Sequence, residues 1–389
     1  MVGRYRLDNL PSSILEYVSS GLTSINEKGE VSPAISSSWE NQDGGKTWIF
    51  HIGEGKTWQD GKEIVSSDIQ INFSDVAVDK PDPKTIVFKL QTPFSPFPVI
   101  LSKPIFKKGF LGTGEWKVKK VTVAGNIVEQ INLTKPEEKD MIFKFYPTEE
   151  RAKLALKLGE VDKLLDIFNP EPFDGWKTLD VQKKIDYGRF TAVFFNTAKE
   201  KKASDKTLRQ VLTYAIDKRK FPSARALGPI SPNSWAYNPQ VKPYDYDLAK
   251  AKDMMKDLSK EIQNNLLLNI ATTPILLTEA EEIAGNWRDL GITVNVQVTS
   301  GIPDNFDAFL AILDIPRDPD QYSLWHSSQE ATNISNYKNP RIDKLLEDGR
   351  TVTNESERKK IYLDFQRFLV EDSPAVFLYH PTSYTITRK

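Results

Sequence analysis

The hydrophobic pattern of this chain changes near residue 190, and that change constrains the fold more than any single motif. Before residue 190, short alternating runs such as Thr47–Ile52 and Thr85–Leu90 are bounded by turn residues, as in half-buried β-strands. After it, strand-length apolar runs alternate with helical patterns, which is typical of an α/β domain. The predicted later strands are 192–196, 266–272, 292–298 and 307–313. Because 389 residues exceed one domain of roughly 100–200 residues, we predict two domains that meet near residue 190.

Capping residues and apolar periodicity predict the helices. Pro147-Thr148-Glu149-Glu150 begins a helix that ends at Gly159 and buries Ala152, Leu154, Ala155, Leu156 and Leu158. Ser66 is expected to cap a short helix over 67–73, and the proline-dense segment 93–104 is expected to be extended or looped. The later predicted helices are 207–216, 247–259, 278–290, 341–348 and 355–371.

Composition excludes several classes of chemistry. The chain has no Cys, which rules out disulfide scaffolds, Cys-ligated zinc, iron–sulfur clusters and thiol nucleophiles. His51, His326 and His380 are scattered, and no pair has the spacing of a metal site. The formal net charge of −1 gives no overall reason to expect nucleic acid as a partner. We therefore predict no metal, no cofactor and no nucleic acid.

Membrane and export segments are not visible in the sequence. No stretch approaches the roughly 18 uncharged apolar residues of a membrane helix. The first residues, Met1–Asp8, lack the apolar core of a signal peptide. The chain is therefore expected to be soluble, and any signal or anchor is expected to be absent from it.

Catalytic motifs are also missing. Gly45-Lys46-Thr47 and Gly55-Lys56-Thr57 nearly match a nucleotide-binding loop, but Glu40 and Phe50 replace the required upstream glycine. There is no Gly-x-Ser-x-Gly elbow and no His-Glu-x-x-His motif. A hydrolase with paired carboxylates stays open, although no pair stands out. We predict that the chain is not an enzyme.

Four aromatic residues in loops form the candidate site that stands out. Trp235 and Tyr237 lie in a loop rich in Pro, Asn and Ser, while Tyr322 and Trp325 follow the acidic loop 314–320. Aromatic rings beside fixed charges suit a cleft for a polar ligand with an apolar body. The alternative is that these rings cover the core.

Ordered motifs along nearly the whole chain resemble the family 5 extracellular solute-binding proteins, the oligopeptide, dipeptide and nickel receptors of ABC importers. The first half carries Gly21-Leu22-Thr23, Ser38-Trp39-Glu40, Asp43-Gly44-Gly45-Lys46-Thr47-Trp48, Trp58-Gln59-Asp60-Gly61, Gly112-Thr113-Gly114 and Leu158-Gly159-Glu160-Val161-Asp162. The second half carries Phe195-Asn196-Thr197, Leu208-Arg209-Gln210, Ala215-Ile216-Asp217-Lys218, Tyr246-Asp247, Leu290-Gly291-Ile292, Asn336-Tyr337 and Asp372-Ser373-Pro374. Most of these residues are turns and caps, so they identify the fold more firmly than the ligand.

This resemblance implies an α/β fold of two lobes joined by a hinge, like the type II (cluster C) periplasmic binding proteins, with ligand held between the lobes. Lobe I would comprise 1–190 and 378–389, and lobe II would comprise 191–377. The crossovers are expected near 191–196 and 376–379.

The chain resembles a shortened member of the family. Larger members carry an extra subdomain where this chain has only Ser74–Lys84 between Phe73 and Thr85. That subdomain is therefore expected to be reduced or absent.

The resemblance also implies a ligand site. In peptide-binding members, a carboxylate that precedes an acidic-Pro pair holds the α-ammonium of the peptide. Asp314 matches this carboxylate, and Asp318-Pro319 matches the pair. The interval is one residue longer here, so Asp318 or Asp320 is an alternative, and Arg317 could instead neutralise Asp314.

The other candidate contacts follow from the same resemblance. Trp235, Tyr237, Tyr322 and Trp325 are then candidate pocket walls, and His326 is a weaker candidate for nickel or haem contact.

The implied function is a receptor in the periplasm or at the cell surface. It would capture a small peptide or similar solute and deliver it to an ABC transporter permease, as a monomer that reaches the membrane only through a signal or anchor absent from this chain. The alternatives are a receptor for an oligosaccharide, nickel or haem, and, from another class, a carboxylate-dependent hydrolase. Ligand identity, peptide length, permease and anchoring stay open.

Overall fold

The computed structural model describes residues 1–71, 73–221, 223–264 and 266–389. Small antiparallel sheets supply most of the regular secondary structure up to residue 185. Their strands are β1 (Thr23–Ile25), β2 (Val31–Pro33), β3 (Ser36–Gln42), β4 (Thr47–Ile52), β5 (Val76–Asp82), β6 (Thr85–Leu90), β7 (Lys117–Ala124), β8 (Ile127–Thr134), β9 (Met141–Lys144), β10 (Lys163–Ile167) and β11 (Leu179–Ile185). The helices of this part are α1 (Ser12–Val18), α2 (Phe97–Ile100) and α3 (Glu149–Leu158).

These strands form four sheets. β1 pairs with β2, β3–β4–β6–β5 form a second sheet, and β7–β8–β9 form a third. In the fourth, β10 and β11 flank the last strand of the chain, β17 (Thr382–Arg388). The C-terminal strand therefore belongs with the first half of the chain.

A five-stranded sheet organises the second half. Its strands are β12 (Arg189–Phe195), β13 (Leu267–Thr272), β14 (Thr293–Val298), β15 (Ala308–Asp314) and β16 (Ala375–Tyr379), in the order β14-β13-β15-β12-β16. β13 runs parallel to β14 and β15, whereas β12 is antiparallel to β15 and β16. The helices are α4 (Lys206–Ala215), α5 (Leu248–Met254), α6 (Lys260–Asn264), α7 (Leu277–Arg288), α8 (Tyr322–Trp325), α9 (Pro340–Thr351) and α10 (Glu355–Asp372).

The hydrophobic cores divide in the same way. One continuous core runs from Phe190 to Tyr379, and three smaller cores lie in the first half, the last of which includes Ile386 of β17. On this basis we assign β1–β11, α1–α3 and β17 to lobe I, and β12–β16 with α4–α10 to lobe II. We propose that the chain passes between the lobes at 185–189 and 379–382; the crossovers predicted near 191–196 and 376–379 lie mostly within β12 and β16.

Capping explains where the long helices begin. The side chains of Thr148, Asp205, Asp247 and Asn354 each accept a hydrogen bond from a backbone N–H in the first turn of α3, α4, α5 and α10. Gly159, in a left-handed conformation, ends α3 as predicted. The predicted later helices and strands are present, with ends shifted by a few residues. No helix in the described ranges is long and apolar enough to cross a membrane.

Two local predictions are wrong. Among the described residues of 67–73, which exclude position 72, the expected helix is only a 3₁₀ turn at Ser66–Asp68; the Ser66 hydroxyl donates to the carbonyl of Asp82 and does not cap a helix. Segment 93–104 is not entirely extended or looped, since it contains α2, whose Pro98 lies in the first turn where proline is tolerated.

The predicted buried side of α3 is partly wrong. Ala152, Ala155 and Leu156 are buried, but Leu154 and Leu158 are exposed. Lys153 takes a buried position instead, near Glu149 at 3.6 Å.

The interval between Phe73 and Thr85 is short. Its described residues from Ser74 to Lys84 contain only β5, which pairs with β6 in an antiparallel hairpin.

Candidate functional site

Arg189 and Asp314 face each other across the sheet where the chain enters lobe II. The antiparallel register of β12 and β15 places them directly opposite, so their side chains lie on the same face. Nε of Arg189 donates to Oδ1 of Asp314 at 2.8 Å. The Asp314 side chain is nevertheless 85% exposed, so its carboxylate stays accessible to a ligand.

Two more carboxylates surround Arg189. Asp166, at the end of β10, accepts from Nη1 at 2.9 Å and lies 2.8 Å from Nη2, and Asp186 lies 3.4 Å from Nη1. Burial alone would lower the pKa of Arg189, but its hydrogen bonds to Asp166 and Asp314 raise the pKa above the usual value. One permanent cation therefore stands among three carboxylates, which leaves a local surplus of negative charge.

Tyr5, from the N-terminal segment, lies within the electrostatic reach of this cluster. Burial is the main cause that raises the pKa of its hydroxyl, and the charge of Asp166 raises that pKa further. The hydroxyl therefore stays protonated and donates to the Val2 carbonyl at 3.2 Å.

A cavity of about 380 Å³ lies between the two lobes. Lobe I contributes Phe168, Lys183 and Tyr384, and lobe II contributes Glu279, Ile312 and Tyr379, among other residues. Ile312 lies two positions before Asp314, so alternation along β15 places both side chains on one face. The cavity and the exposed carboxylate thus belong to the same side of the sheet.

β15 also extends past the end of its neighbour β13. Their pairing stops where Thr272 lies opposite Leu310, and the chain then turns into a 3₁₀ turn at Pro274–Leu276. Within the described part of the chain, no strand covers that edge of β15 along 311–314. Main-chain groups at such an edge can pair with an extended ligand.

A second cavity of about 220 Å³ lies between the lobes beside the loop that follows Asp314. Lys184, Asp186 and Arg317 are among its lining residues. It is smaller than the first cavity.

Asp318 and Asp320 anchor the acidic loop instead of facing the cavity. The buried Asp318 carboxylate accepts from Nη1 and Nη2 of Arg358 at 2.8 and 2.5 Å. Asp320 accepts from Nε of Arg350 at 2.9 Å. Burial raises the pKa of Asp320 above its usual value, although the charge of Arg350 lowers that pKa. Both carboxylates are paired and largely buried, whereas Asp314, although it also accepts from Arg189, is exposed and can meet a ligand.

Arg317 does not neutralise Asp314. Its Nη1 donates to the Ile25 carbonyl at 3.2 Å, which ties the loop to lobe I. The hairpin turn between β1 and β2 makes a further contact, in which the backbone N–H of Trp235 donates to the Lys28 carbonyl at 3.1 Å. These two hydrogen bonds connect lobe I to lobe II at a second site, separate from the contact between Arg189 and Asp166.

Two predicted wall residues lie near each other but outside the larger cavity. Tyr322 stacks on His326 with ring centroids 4.0 Å apart, and the Arg350 guanidinium lies 3.8 Å from its ring centre. Trp325 is 1% exposed and stacks on Phe194, on the opposite face of the sheet from Asp314. Trp325 is therefore part of the core in this conformation.

Trp235 and Tyr237 have different neighbours. Trp235 packs between the hairpin turn of lobe I and Arg358. The Arg358 guanidinium carbon lies 5.6 Å from the centre of the Trp235 ring. Burial raises the pKa of Tyr237, whereas the nearby charge of Arg225 lowers it. Neither ring is among the lining residues of the larger cavity.

Sequence reasoning missed Arg189, Asp166 and Glu279. Each is an ordinary charged residue in or beside a regular element, and only the three-dimensional pairing brings them to the cleft. The one available signal was the position of Arg189 immediately before the apolar run 190–195, at the predicted boundary.

The described residues offer no group of three or more His, Asp or Glu side chains that could hold a metal ion. His326 is buried, with Nδ1 2.8 Å from the Ser328 hydroxyl and Nε2 3.4 Å from Glu347. It lies away from the lining of the larger cavity.

Comparison with known proteins gives a consistent family assignment. A family model described as "Bacterial extracellular solute-binding proteins, family 5 Middle" matches residues 30–333. The oligopeptide-binding protein AppA of Bacillus subtilis is 24% identical, with 98% of this chain and 84% of AppA covered. The dipeptide-binding protein of Escherichia coli is 22% identical, with 92% and 83% covered.

Solved structures show the same fold. AppA of B. subtilis in complex with a nonapeptide has a TM-score of 0.75 and 21% identity, and the match covers 100% of this chain and 92% of AppA. DppA of Helicobacter pylori with the peptide STSA has a TM-score of 0.76 and 21% identity, with 100% and 93% covered. NikZ of Campylobacter jejuni with Ni(L-His) has a TM-score of 0.78 and 23% identity, with 96% and 88% covered.

Proposed function

The chain belongs to the family 5 bacterial extracellular solute-binding proteins, and we propose that it captures a short peptide between its two lobes and delivers it to an ABC import permease. This family consists of solute-binding receptors, not enzymes. The proposal places the protein outside the cytoplasm, in the periplasm or at the cell surface, where it acts as a monomer. Several relatives, including AppA and the dipeptide-binding protein, carry names that state peptide binding.

The accessible carboxylate of Asp314 carries this proposal. Arg189 fixes the carboxylate through one oxygen, and Asp166 and Asp186 share the same guanidinium. The surplus negative charge favours a cationic group on the ligand, and a peptide supplies one at its α-ammonium. A charged hydrogen bond at one end would fix the register of the peptide.

The uncovered edge of β15 supports the same proposal. A peptide whose amino group meets Asp314 can extend along 311–314 and pair with main-chain groups as an added strand. The cavity beside Ile312 then receives a side chain of the peptide. Lys183, which also lines the cavity and is exposed, is a candidate partner for a ligand carboxylate.

The alternatives have less support from the geometry. An oligosaccharide receptor would use exposed Trp and Tyr faces, but Trp325 lies in the core and Trp235 packs against Arg358. A metal receptor with protein ligands has no candidate cluster in the described residues. A peptide therefore fits the observed charges and strand edge best.

Native mass spectrometry of the protein purified without refolding tests the proposal. We expect mass additions that fragment as short peptides and that disappear after denaturation and refolding in peptide-free buffer. Bound sugar, or protein that stays empty after incubation with a pool of random tri- to pentapeptides, contradicts it.

A further inference from the structure

We propose that Glu279 selects peptides that carry a lysine or arginine side chain, an inference that rests on the peptide function proposed above. Glu279 lies in the first turn of α7 and lines the cavity between the lobes. Among the hydrogen bonds of the described residues, its carboxylate accepts from the Tyr379 hydroxyl at 3.4 Å. No described cation forms an ion pair with it, in contrast to Glu281 and Glu282 on the same helix.

The surroundings of Glu279 match a long amphipathic side chain. Ile275, Leu276 and Ile312 provide apolar walls in the same cavity, and Tyr379 lies beside the carboxylate. Lysine and arginine bury an apolar stem and place a charge at its end. An apolar wall that ends at one carboxylate is therefore complementary to such a side chain.

The position of Asp314 separates this role from binding of the α-ammonium. Asp314 belongs to the Arg189 cluster at the end of β15, whereas Glu279 belongs to α7 beyond the end of β13. With the α-ammonium at Asp314, Glu279 is left for a second cation farther along the ligand. Lys183, in the wall contributed by lobe I, offers the opposite charge to the terminal carboxylate.

A carboxylate in the first turn of a helix also interacts favourably with the helix N-terminus. That structural role needs no ligand and would alter only stability. The test must therefore measure selectivity between peptides.

The experiment is a native mass spectrometry competition between two equimolar pools of tri- to pentapeptides with free amino ends. Each peptide of one pool contains a single lysine, and each peptide of the other contains norleucine at the same position. Norleucine has the same aliphatic stem as lysine but lacks the ammonium. We expect the lysine pool to bind about tenfold more tightly than the norleucine pool, because one hydrogen bond between charged groups contributes about that factor to affinity. Glu279→Gln should reduce that ratio to about one, whereas the matched control Glu281→Gln, on the same helix and paired with Arg288, should retain it.

Two results would overturn the inference alone. Equal binding of both pools to the unsubstituted protein would show that the cavity has no preference for a basic side chain. An equal loss of both pools in Glu279→Gln would show that Glu279 holds the α-ammonium or supports the fold. Binding of neither pool would instead contradict the peptide function itself, which distinguishes the two failures.

Discussion

Arg189 donates from Nε to Oδ1 of Asp314 at 2.8 Å, although 125 positions separate the two residues in the sequence. Arg189 begins the strand that enters lobe II, and the same guanidinium holds Asp166 of lobe I. A ligand cation that binds Asp314 would therefore act on a group shared by both lobes. Such a group is well placed to couple ligand binding to closure of the lobes.

Replacing Arg189 should destabilise the protein. Arg189→Met leaves Asp166, Asp186 and Asp314 without their shared cation, so we expect the free energy of unfolding to fall by about 1–3 kcal/mol. Urea denaturation measures this change. Arg189→Lys should recover only part of it, because one ammonium cannot reproduce the forked contacts of a guanidinium. Stability equal to that of the unsubstituted protein in Arg189→Met would show that the cluster contributes nothing.

The buried Asp318–Arg358 pair should matter far more than an exposed pair on the same helix. Asp318→Ala leaves the Arg358 charge buried and uncompensated, which typically costs about 3–5 kcal/mol. The exposed pair Asp364–Arg367 provides the matched control, and Asp364→Ala should cost about 1 kcal/mol or less. Urea denaturation of both variants gives the comparison, and similar losses in the two would contradict the anchoring role of Asp318.

The contact between the β1–β2 turn and lobe II depends on Gly29. A Cβ at Gly29 would lie 2.5 Å from the carbonyl oxygen of Arg317, and the residue has φ +82°. Gly44 has φ +65° but open space around it, so Gly44→Ala incurs only the backbone strain. We expect Gly29→Ala to separate the lobes and Gly44→Ala to leave them in place. Small-angle X-ray scattering would then show a larger radius of gyration for Gly29→Ala alone. The same radius in both variants would show that this contact does not hold the lobes.

His380 should make stability depend on pH. Its Nδ1 lies 2.7 Å from the Arg189 carbonyl, and burial is the main cause that lowers its pKa. The unfolded chain, in which His titrates near pH 6.5, therefore binds its proton more readily than the folded protein. Stability contributed by the neutral ring is present above about pH 6.5 and is lost as pH falls below that value.

The variant His380→Gln isolates this effect, because glutamine does not titrate. The free energy of unfolding of the unsubstituted protein, relative to the variant, should decrease between about pH 8 and pH 5. A difference that does not change with pH would contradict the role assigned to His380.

Local patterns predicted much of lobe II. The apolar run at 307–313 and the helix at 355–371 are confirmed as β15 and α10, because the period of side-chain burial follows directly from local geometry. Ser66 shows the limit of such reasoning. Its hydroxyl has a partner 16 residues away, at the Asp82 carbonyl, so the capping signal was satisfied by tertiary structure.

The candidate site was harder to predict, for the same physical reason. Family resemblance indicated Asp314. No local sequence pattern, however, predicts that Arg189 lies opposite Asp314 or that Glu279 lines the cavity. Trp325 looked like a pocket wall because it follows an acidic loop, yet α8 turns it into the core against Phe194. Long-range strand register decides which face a side chain occupies, and a short sequence window does not contain that information.

The most direct test of the central claim compares one pool of tri- to pentapeptides with free amino ends and the same pool after N-acetylation, by isothermal titration calorimetry. If Asp314 holds the α-ammonium, acetylation should weaken binding at least about tenfold, and Asp314→Asn should bind both pools equally weakly. Asp304→Asn, at an exposed loop position, is the control and should behave like the unsubstituted protein. Full affinity of Asp314→Asn for the free pool, or equal binding of both pools to the unsubstituted protein, would contradict the claim.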